Sequence, residues 1–598
     1  MTSPLSSGAD IMEAKPSYKM SSPAASFRPT LMGRDFAVSC GHPLAAMAAA
    51  NVLQRGGNAI DAGVTAAMAL AVLQPDIVSF AGVAPTLIYS AADRRVTSLA
   101  GLGYWPEGTD IARLRAEGGN TIPEGLLRTV IPAAPATHIE ALRRFGTIGF
   151  EQAATPAAQL AHDGFAMYRL LAESLKGDAA SYARWPASAS IFLPAGAPPR
   201  EGDLFRQEDL GRTIYAMIAA AKAAKTRSEG LDAAADYFYR GPVAQAIHDY
   251  HAANGGFMTL KDLAGFDVPV ETSLSARFGR YEVHVNDAWC QGMTLLQTLV
   301  MLDQEHLDSL EHNSTQYLHT IVEALNLSFA DREAYLGDPR FVKVPVKGML
   351  SQDYARKQRL RIDPRQAFGK MPNPGWPAGS EGLSHEHLDL DAGSSTPPVG
   401  QRPAPDTIYC AVIDRDGNVY SATLSDNTHD TPIIPGTGLA ISSRGSQSRL
   451  DPRHPSAVAP LKRPRLTPAP ALVTLDGNPF MALGTPGGDV QMQAMLQVFL
   501  NVVLHKMPLQ QAIEAGRVWS MNFPNSFAPH AYSPGRLCIE GSIRPEVANG
   551  LQSLGHRTEA WAQFPAAGGG ICAVLRDPRT GLLHAGADPR RECYALAW

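Results

Sequence analysis

The sequence predicts a mixed α+β fold, in which strands and helices alternate along the chain. A strand from Phe36 leads through a turn into an alanine-rich stretch, 44–53, that is apolar on one helical face. Residues 59–73 are apolar on nearly every side, which indicates a helix buried against a sheet. Much later, 407–424 consists of two apolar runs around an Asp-Arg-Asp-Gly-Asn turn, the pattern of a β-hairpin.

The other segments fit the same class. Residues 83–90 and 96–100 are apolar runs on either side of a polar turn, which predicts a second hairpin. Helical patterns broken by Gly and Pro fill 107–285, and 317–336 is a long periodic helix. We expect further strands and helices at 471–475, 480–483, 491–504, 509–515 and 571–575.

Composition indicates a globular protein that acts on a small molecule. The chain has 598 residues, 45% hydrophobic and 18% charged, and its net charge of −5 without a dense basic run argues against binding to nucleic acid or an anionic membrane. The six cysteines show no CxxC spacing, so neither a zinc site nor a disulfide framework is predicted. No stretch reaches the ~20 apolar residues of a membrane helix. We expect a cytoplasmic protein with no metal and no cofactor.

Two segments lack periodicity. Residues 1–35 are rich in Ser, Pro and Ala without the apolar core of a secretion signal, so we expect a flexible arm. Residues 366–405 are rich in Pro, Gly and Ser, which predicts an exposed linker. The His385-Glu386-His387 run within this linker has ligand-type side chains but no third site, so it does not predict a metal centre.

The predicted linker stops directly before a threonine that opens a strand. If the bond between Asp406 and Thr407 were broken, Thr407 would carry a hydroxyl and a free α-amine with an ordinary pKa of about 7.7–8.0. One residue would then supply both nucleophile and base. A threonine at the start of a strand is also common without any such chemistry, and the pattern alone favours that simpler interpretation.

A set of motifs in this order resembles the γ-glutamyltransferases. The motifs are Gly41-His42-Pro43-Leu44-Ala45, Arg55-Gly56-Gly57-Asn58-Ala59-Ile60-Asp61-Ala62, Tyr317-Leu318-His319, Glu323-Ala324-Leu325, Phe329-Ala330-Asp331-Arg332-Glu333-Ala334-Tyr335-Leu336-Gly337-Asp338, Asp414-Arg415-Asp416-Gly417-Asn418, Pro435-Gly436-Thr437-Gly438, Lys462-Arg463-Pro464 and Gly484-Thr485-Pro486-Gly487-Gly488. The resemblance implies a four-layer αββα sandwich, the fold of N-terminal-nucleophile (Ntn) hydrolases. It also implies self-cleavage into a large subunit, 36–406, and a small subunit, 407–598, and no metal or cofactor.

The resemblance assigns the catalytic roles. Thr407 matches the family's nucleophile, and Thr423 matches a second threonine whose hydroxyl can orient the amine and the nucleophilic oxygen. Gly487 and Gly488 match the oxyanion hole, where backbone N–H groups face the developing negative charge. A Gly-Gly pair after proline is, without the surrounding match, usually only a turn.

The substrate-binding positions differ from the family's pattern. Ser425 and Asn427 match residues that line the site. The family holds a γ-glutamyl group with an arginine, a serine pair and an aspartate, and the matching positions here are Leu102, Leu466 with Thr467, and Gln447. Losing a buried charge partner costs about 2–5 kcal/mol, so a γ-glutamyl substrate is disfavoured. Arg444 stands where the transferases have a neutral residue; it is either a carboxylate-binding group or a structural arginine.

The predicted function is a self-processing amidohydrolase for a small carboxylate-bearing amide, with water as the acceptor. The opening Asp406-Thr407-Ile408-Tyr409 resembles a divergent branch that includes oxamate amidohydrolase, whose substrate has one carboxylate and no amine. A γ-glutamyl hydrolase or transpeptidase acting on glutathione-like substrates is the second hypothesis, and an unprocessed, catalytically silent protein is the third. The expected partners are the substrate, water, the two subunits of one precursor and a homodimer of the processed pair.

Overall fold

The computed structural model describes residues 26–119, 121–302, 307–388 and 407–598. The strands, in chain order, are β1 (Leu31–Gly33), β2 (Phe36–Cys40), β3 (Thr86–Ser90), β4 (Arg95–Leu99), β5 (Phe165–Ala166), β6 (Leu204–Phe205), β7 (Val270–Thr272), β8 (Leu274–Phe278), β9 (Tyr281–Val285), β10 (Thr407–Asp414), β11 (Val419–Ser425), β12 (Ile433–Ile434), β13 (Leu439–Ala440), β14 (Ala471–Leu475), β15 (Asn478–Gly484), β16 (Val518–Ser520), β17 (Arg536–Glu540), β18 (Arg557–Trp561), β19 (Cys572–Arg576), β20 (Leu583–Ala587) and β21 (Tyr594–Ala597).

The helices surround these strands. In chain order the described α-helices are Pro43–Gln54, Ala59–Leu73, Ile111–Gly118, Ala134–Phe145, Phe150–Asp163, Arg169–Gly177, Ala179–Tyr182, Pro186–Phe192, Glu208–Lys222, Arg227–Tyr239, Pro242–Ala253, Leu260–Ala264, Gly292–Met301, Thr315–Tyr335, Val346–Met349, Gln352–Arg359, Val490–Val503, Leu509–Glu514 and Pro545–Ser553. Short 3₁₀ helices lie at Leu126–Arg128, Pro194–Gly196, Arg444–Gln447 and Ala566–Gly568.

Two seven-stranded antiparallel sheets form the centre of the molecule. One, the Thr407 sheet, has the order β21-β2-β10-β11-β3-β4-β7, and the other, the facing sheet, has the order β1-β20-β19-β15-β14-β9-β8. Strand β10 shows how the sheets pack, because alternate side chains of a strand point to opposite faces. Ile408, Cys410 and Val412 join the core of the helices that contain 43–54 and 59–73, while Tyr409 and Ala411 join the core between the sheets.

The facing sheet is covered on its outer side by a second helical layer. Its outward side chains, such as Val283 and Met481, share a core with the helices Thr315–Tyr335 and Val490–Val503. The order of layers is helix, sheet, sheet, helix. The α+β class and the four-layer sandwich are thus confirmed.

Two of the motifs act as caps and turns that hold these layers together. Asn58 and Asp61 form a reciprocal capping box at the start of helix Ala59–Leu73. The carboxylate of Asp414 accepts hydrogen bonds from the Asn418 backbone (2.9 Å) and side chain (3.0 Å), which closes the β10–β11 turn. The same carboxylate accepts from the Ala59 N–H at 3.0 Å, so the hairpin is fixed to the helix beneath it.

The two segments expected to lack structure need correction where they are described. Residues 31–33 of the expected arm form β1, which pairs with β20, while 1–25 lie outside the described residues. Residues 366–388 of the expected linker pack on the protein: Met371 donates its N–H to Tyr532 Oη at 2.7 Å and Gly375 to Asp331 at 2.8 Å. Amino-acid composition could not predict this packing, because it does not show which backbone N–H groups form hydrogen bonds with distant side chains. The remaining part, 389–405, lies outside the described residues.

The described helices include none that is both long and apolar enough to span a bilayer. Within the same residues no group of three or more His, Cys, Asp and Glu side chains is placed to hold a metal ion. All six cysteines are buried free thiols.

Candidate active site

Two hydroxyl groups meet at one end of the space between the sheets. Thr407 opens β10 and lies directly opposite Ser425, the last residue of β11. Both side chains are fully buried, and Thr407 Oγ1 and Ser425 Oγ are hydrogen-bonded at 3.0 Å. The hairpin register produces this contact, since directly opposed residues of an antiparallel pair share one face.

Thr423 lies on the same face, two residue pairs further along the hairpin. It is opposite Tyr409, two residue pairs from the Thr407–Ser425 pair, and its backbone N–H donates to the Pro85 carbonyl at 3.1 Å. Its Oγ1 is buried without a hydrogen-bond partner in the described part of the chain. The hydroxyl that contacts Thr407 Oγ1 in this structure is therefore that of Ser425 and not that of Thr423, to which the resemblance assigned the orienting role.

The Gly487-Gly488 turn is connected to Thr407 by the first turn of the helix that follows it. Gln491, in the first turn of helix Val490–Val503, donates its side-chain amide to Thr407 Oγ1 at 3.5 Å. The orientation of this amide is fixed because its oxygen accepts from the Ala469 N–H at 3.1 Å. Gly487 and Gly488 have φ values of +120° and +56°, a region that favours glycine and that turns the backbone sharply before the helix.

Arg444 contacts the same group of hydroxyls from the other side. It lies in the 3₁₀ helix Arg444–Gln447, is fully buried, and donates through Nη2 to Ser425 Oγ. Its Nε lies 3.2 Å from the Asp426 carboxylate. The nucleophile candidate, one serine hydroxyl and a guanidinium thus form a continuous chain of contacts.

Asp426 is the counter-ion of this arginine and was not identified from the sequence. Its carboxylate accepts from Ser442 Oγ (2.7 Å), the Ser443 N–H (3.0 Å) and Ser443 Oγ (3.1 Å). Burial raises the pKa of Asp426 above its ordinary value, and the opposing effects of Arg444 and these donors do not reverse that shift. Its φ of +103° is uncommon for a residue with a side chain, so the turn that places it here is strained.

The remaining substrate-binding candidates form neutral contacts. Gln447 donates through Nε2 to Thr467 Oγ1 at 2.8 Å and accepts from the Thr467 N–H at 3.3 Å. Gln291 then ties this pair to the glycine turn, because its amide donates to the Thr467 carbonyl (2.9 Å) and to the Gly488 carbonyl (3.0 Å). Leu102 and Leu466 are fully buried apolar residues.

Asn427 belongs to a neighbouring turn. Its side-chain oxygen accepts from the Asp430 N–H at 2.9 Å, and its amide lies 3.3 Å from the Asp430 carboxylate. Arg128 pairs with Asp430 at 3.3 Å. These described contacts make Asn427 part of the loop that follows β11.

Comparison with known proteins agrees with this architecture. The family model described as gamma-glutamyltranspeptidase matches residues 45–598. The chain is 31% identical to the acylase ACY 1 proenzyme of Pseudomonas sp. (strain SE83), over 90% of this chain and 89% of that protein. It is 29% identical to the glutathione hydrolase proenzyme of Bacillus subtilis (strain 168), with 94% and 92% covered, and 29% identical to the oxamate amidohydrolase proenzyme of Klebsiella pneumoniae, with 93% and 97% covered.

A solved structure shows the same overall similarity. The crystal structure of cephalosporin acylase from Bacillus halodurans has a TM-score of 0.81 and 26% identity, and the match covers 98% of this chain and 99% of that one. The sandwich, the matched length and the set of related proenzymes all lead to one assignment. The chain belongs to the γ-glutamyltranspeptidase family of autoprocessing Ntn amidohydrolases and is an enzyme of that family.

Proposed function

We propose that this chain cleaves itself before Thr407 and then hydrolyses the amide bond of a small, carboxylate-bearing substrate through an acyl-Thr407 intermediate. The observation that carries the proposal is the chain of buried contacts from Thr407 Oγ1 to Ser425 Oγ, at 3.0 Å, and on to the Arg444 guanidinium. In this arrangement the Arg444 guanidinium contacts Ser425 Oγ, and the same oxygen contacts the proposed nucleophile. Such a group can bind a substrate anion close to the bond that is cut.

Self-cleavage requires only the Thr407 hydroxyl and water. The Oγ1 attacks the carbonyl carbon of residue 406, the C–N bond breaks, and the proton of the hydroxyl passes to the departing nitrogen. Water then hydrolyses the resulting ester, which leaves a carboxylate on residue 406 and a free amine on Thr407. Ser425 and Gln491, which contact Oγ1 at 3.0 and 3.5 Å, hold the oxygen for this step.

Turnover uses the new amine as the base. The amine accepts the hydroxyl proton while Oγ1 attacks the substrate carbonyl, and the proton is then passed to the leaving amine or ammonia. Water hydrolyses the acyl-Thr407 ester and regenerates the enzyme. Backbone N–H groups of Gly487 and Gly488 stabilise the oxyanion in this scheme, and the Thr423 hydroxyl hydrogen-bonds the amine that cleavage releases.

The charges around the site favour a substrate with a carboxylate and without an ammonium group. Arg444 is paired with Asp426 at 3.2 Å, and burial raises the pKa of that carboxyl, so the buried guanidinium is the cationic group of this site next to the hydroxyls. Gln447 and Thr467 hydrogen-bond each other at a position where an ammonium would require a negative partner. Among the relatives, the name oxamate amidohydrolase fits this substrate class better than glutathione hydrolase does.

Denaturing gel electrophoresis tests the first half of the proposal. Incubated protein is expected to give fragments of 406 and 192 residues, and sequencing of the shorter fragment should begin at Thr407. Thr407→Ala should remain a single 63.9 kDa band, whereas the matched control Thr407→Ser, which keeps a hydroxyl, should still be cut. Cleavage of Thr407→Ala at the same place would contradict the proposal.

A panel of amides tests the second half. Matured enzyme should release ammonia or amine from amides of short dicarboxylic acids and show little hydrolysis of γ-glutamyl-p-nitroanilide. Preference for the γ-glutamyl substrate would replace the proposed substrate class with a glutathione-like one. A matured protein that hydrolyses nothing in the panel would favour a catalytically silent member.

A further inference from the structure

We infer that Phe527 determines the acyl specificity of this enzyme by forming a rigid aromatic wall between Arg444 and the Gly487-Gly488 turn. The inference rests on the proposed function and adds to it a limit on the size of the acyl group. Phe527 lies in a loop, 525–530, that precedes β17 and was not identified from the sequence.

The loop is anchored on both sides of the site. Before Phe527, Ser526 donates its N–H (2.8 Å) and its hydroxyl (2.6 Å) to the carboxylate of Asp489, the residue directly after Gly488. After Phe527, Ala528 donates its N–H to the carbonyl of Ser446, two residues beyond Arg444, at 2.8 Å. The two anchors therefore place Phe527 between the segments that carry the two groups proposed to bind the substrate.

The ring packs on Arg444 and lies close to Gly488. Its centroid lies 5.1 Å from Cζ of Arg444, within the range of a cation–π interaction. A Cβ atom built on Gly488 would lie 3.5 Å from Cε2 of Phe527, which is ordinary van der Waals contact. The side chain is 4% exposed, so nearly all of the ring is in contact with the protein.

The anchors also make the wall stiff. Asp489 is itself buried and paired with Arg332, whose side chain donates to Gln291 at 3.0 Å. The N–H of Phe527 donates to the Asn525 side chain at 2.8 Å, and His530 Nε2 lies 3.2 Å from the Ser448 carbonyl. The backbone that carries this ring cannot move aside without breaking several buried hydrogen bonds, and the ring itself is 4% exposed and packed against Arg444.

A fixed ring at this place restricts the acyl group. A substrate carboxylate that reaches Arg444 must approach beside the ring, and the ring also borders the Gly487-Gly488 turn proposed to bind the oxyanion, so the carbon chain that joins these two ends must pass along the ring. A short chain satisfies both conditions, whereas each added methylene must be accommodated against a wall that does not move. We therefore expect selectivity for the shortest dicarboxylic acyl groups.

The test compares kcat/KM for the p-nitroanilides of oxalic, succinic and glutaric acid. Wild-type enzyme should prefer the shorter acyl groups, and Phe527→Ala should raise the glutaryl-to-oxalyl ratio by about tenfold or more, since glutaryl has three methylenes more than oxalyl and a single methylene in a pocket is worth at least about tenfold. Phe527→Leu, which keeps part of the volume, should give an intermediate shift. Phe564→Ala is the matched control, because Phe564 also lies over a buried arginine, Arg590, at 5.0 Å, but away from Arg444; its ratio should stay at the wild-type value.

The outcomes are distinct. A ratio that changes less than twofold in a self-cleaved, active Phe527→Ala enzyme overturns the inference and leaves the proposed function standing. If Phe527→Ala fails to mature on the gel, an unchanged ratio in Phe527→Leu overturns it in the same way. Wild-type enzyme that cleaves none of the three anilides overturns the proposed function and the inference together.

Discussion

Two buried carboxyl groups in this protein, those of Glu333 and Asp426, have pKa values that are shifted in opposite directions. Glu333 contacts Arg465 (2.7 Å), Arg449 (2.7 Å) and Arg332 (3.0 Å), and although burial acts to raise its pKa, these arginines hold it well below the ordinary range. Asp426 is paired with Arg444, yet burial keeps its pKa above the ordinary value.

The difference separates a structural cluster from a candidate functional one. The Glu333 cluster, consisting of Arg332, Glu333, Arg449, His454 and Arg465, joins helix Thr315–Tyr335 to the 449–465 segment and has a surplus of positive partners. The Asp426–Arg444 pair, one residue from Ser425, joins a carboxyl of raised pKa to a buried guanidinium, and perturbed pKa values of this kind are common at functional sites. The predictions below test this contrast, beginning with the largest effect.

Removing the charge of Glu333 should have the largest effect, and on stability. Glu333→Gln leaves several buried guanidinium groups without their shared anion, which typically costs about 3–5 kcal/mol. Urea unfolding of the Thr407→Ala protein, which the proposed function predicts to stay uncut, measures the change on a single chain. Glu559→Gln, which breaks a partly exposed pair with Arg536, is the control and should cost about 0–1 kcal/mol. Equal effects of the two substitutions would contradict the structural role.

Acid should weaken the same cluster through His454. Burial lowers its pKa to about 3, so the folded protein binds this proton less readily than the unfolded chain does. Stability is therefore complete above the unfolded pKa of about 6.5 and falls as the pH drops towards 3, by roughly 3 kcal/mol between pH 7 and pH 4. Urea midpoints measured against pH should show this loss, and His454→Asn should reduce it. An unchanged pH dependence in the variant would assign the loss to other groups.

Replacing Arg444 should affect catalysis more than stability. Arg444→Met removes the proposed carboxylate partner, and we expect kcat/KM on a carboxylate-bearing amide to fall about 30- to 1000-fold, equivalent to about 2–4 kcal/mol. The cost in stability should be smaller than for Glu333→Gln, because Asp426 can become protonated. Arg444→Lys keeps the charge and should lose less activity. Full activity of Arg444→Met would show that this arginine does not bind the substrate and has a structural role.

Neutralising Asp426 should have the smallest effect of the four. Since burial raises the pKa of Asp426 and so penalises its charged form, Asp426→Asn should change kcat/KM by less than about tenfold, or about 1.4 kcal/mol. Steady-state kinetics on the same amide decides the point. A loss as large as that of Arg444→Met would show that the pair works as a fully ionised unit, like the Glu333 cluster.

Local patterns were sufficient to predict most elements of the fold. Helix Ala59–Leu73 has the predicted bounds because an apolar run and the Asn58 cap act over neighbouring residues. The hairpin of β10 and β11 follows from its turn, and the same turn sets the register that pairs Thr407 with Ser425. Counting residue pairs outward from the turn would have selected Ser425 over Thr423 as the hydroxyl residue opposite Thr407.

Other parts of the site could not be derived from local patterns. Asp426 and Arg444 are brought together by a turn between strands, and Phe527 comes from a loop more than 80 residues after Arg444. Neither contact leaves a periodic signal in the sequence. The 366–388 segment was misjudged for a related reason, since its Pro- and Gly-rich composition is compatible with both a free linker and one packed through Met371 and Gly375.

The strand order of the Thr407 sheet has a consequence for the processed enzyme. Strand β10 lies between β2 and β11, and β11 in turn pairs with β3, so strands from before and after residue 407 are interleaved in one hydrogen-bonded ladder. Cutting the chain at this position would release no separable lobe. The two polypeptides would stay associated through the strand pairs that they share and would elute as one particle in gel filtration under native conditions. They would separate only when both sheets are unfolded.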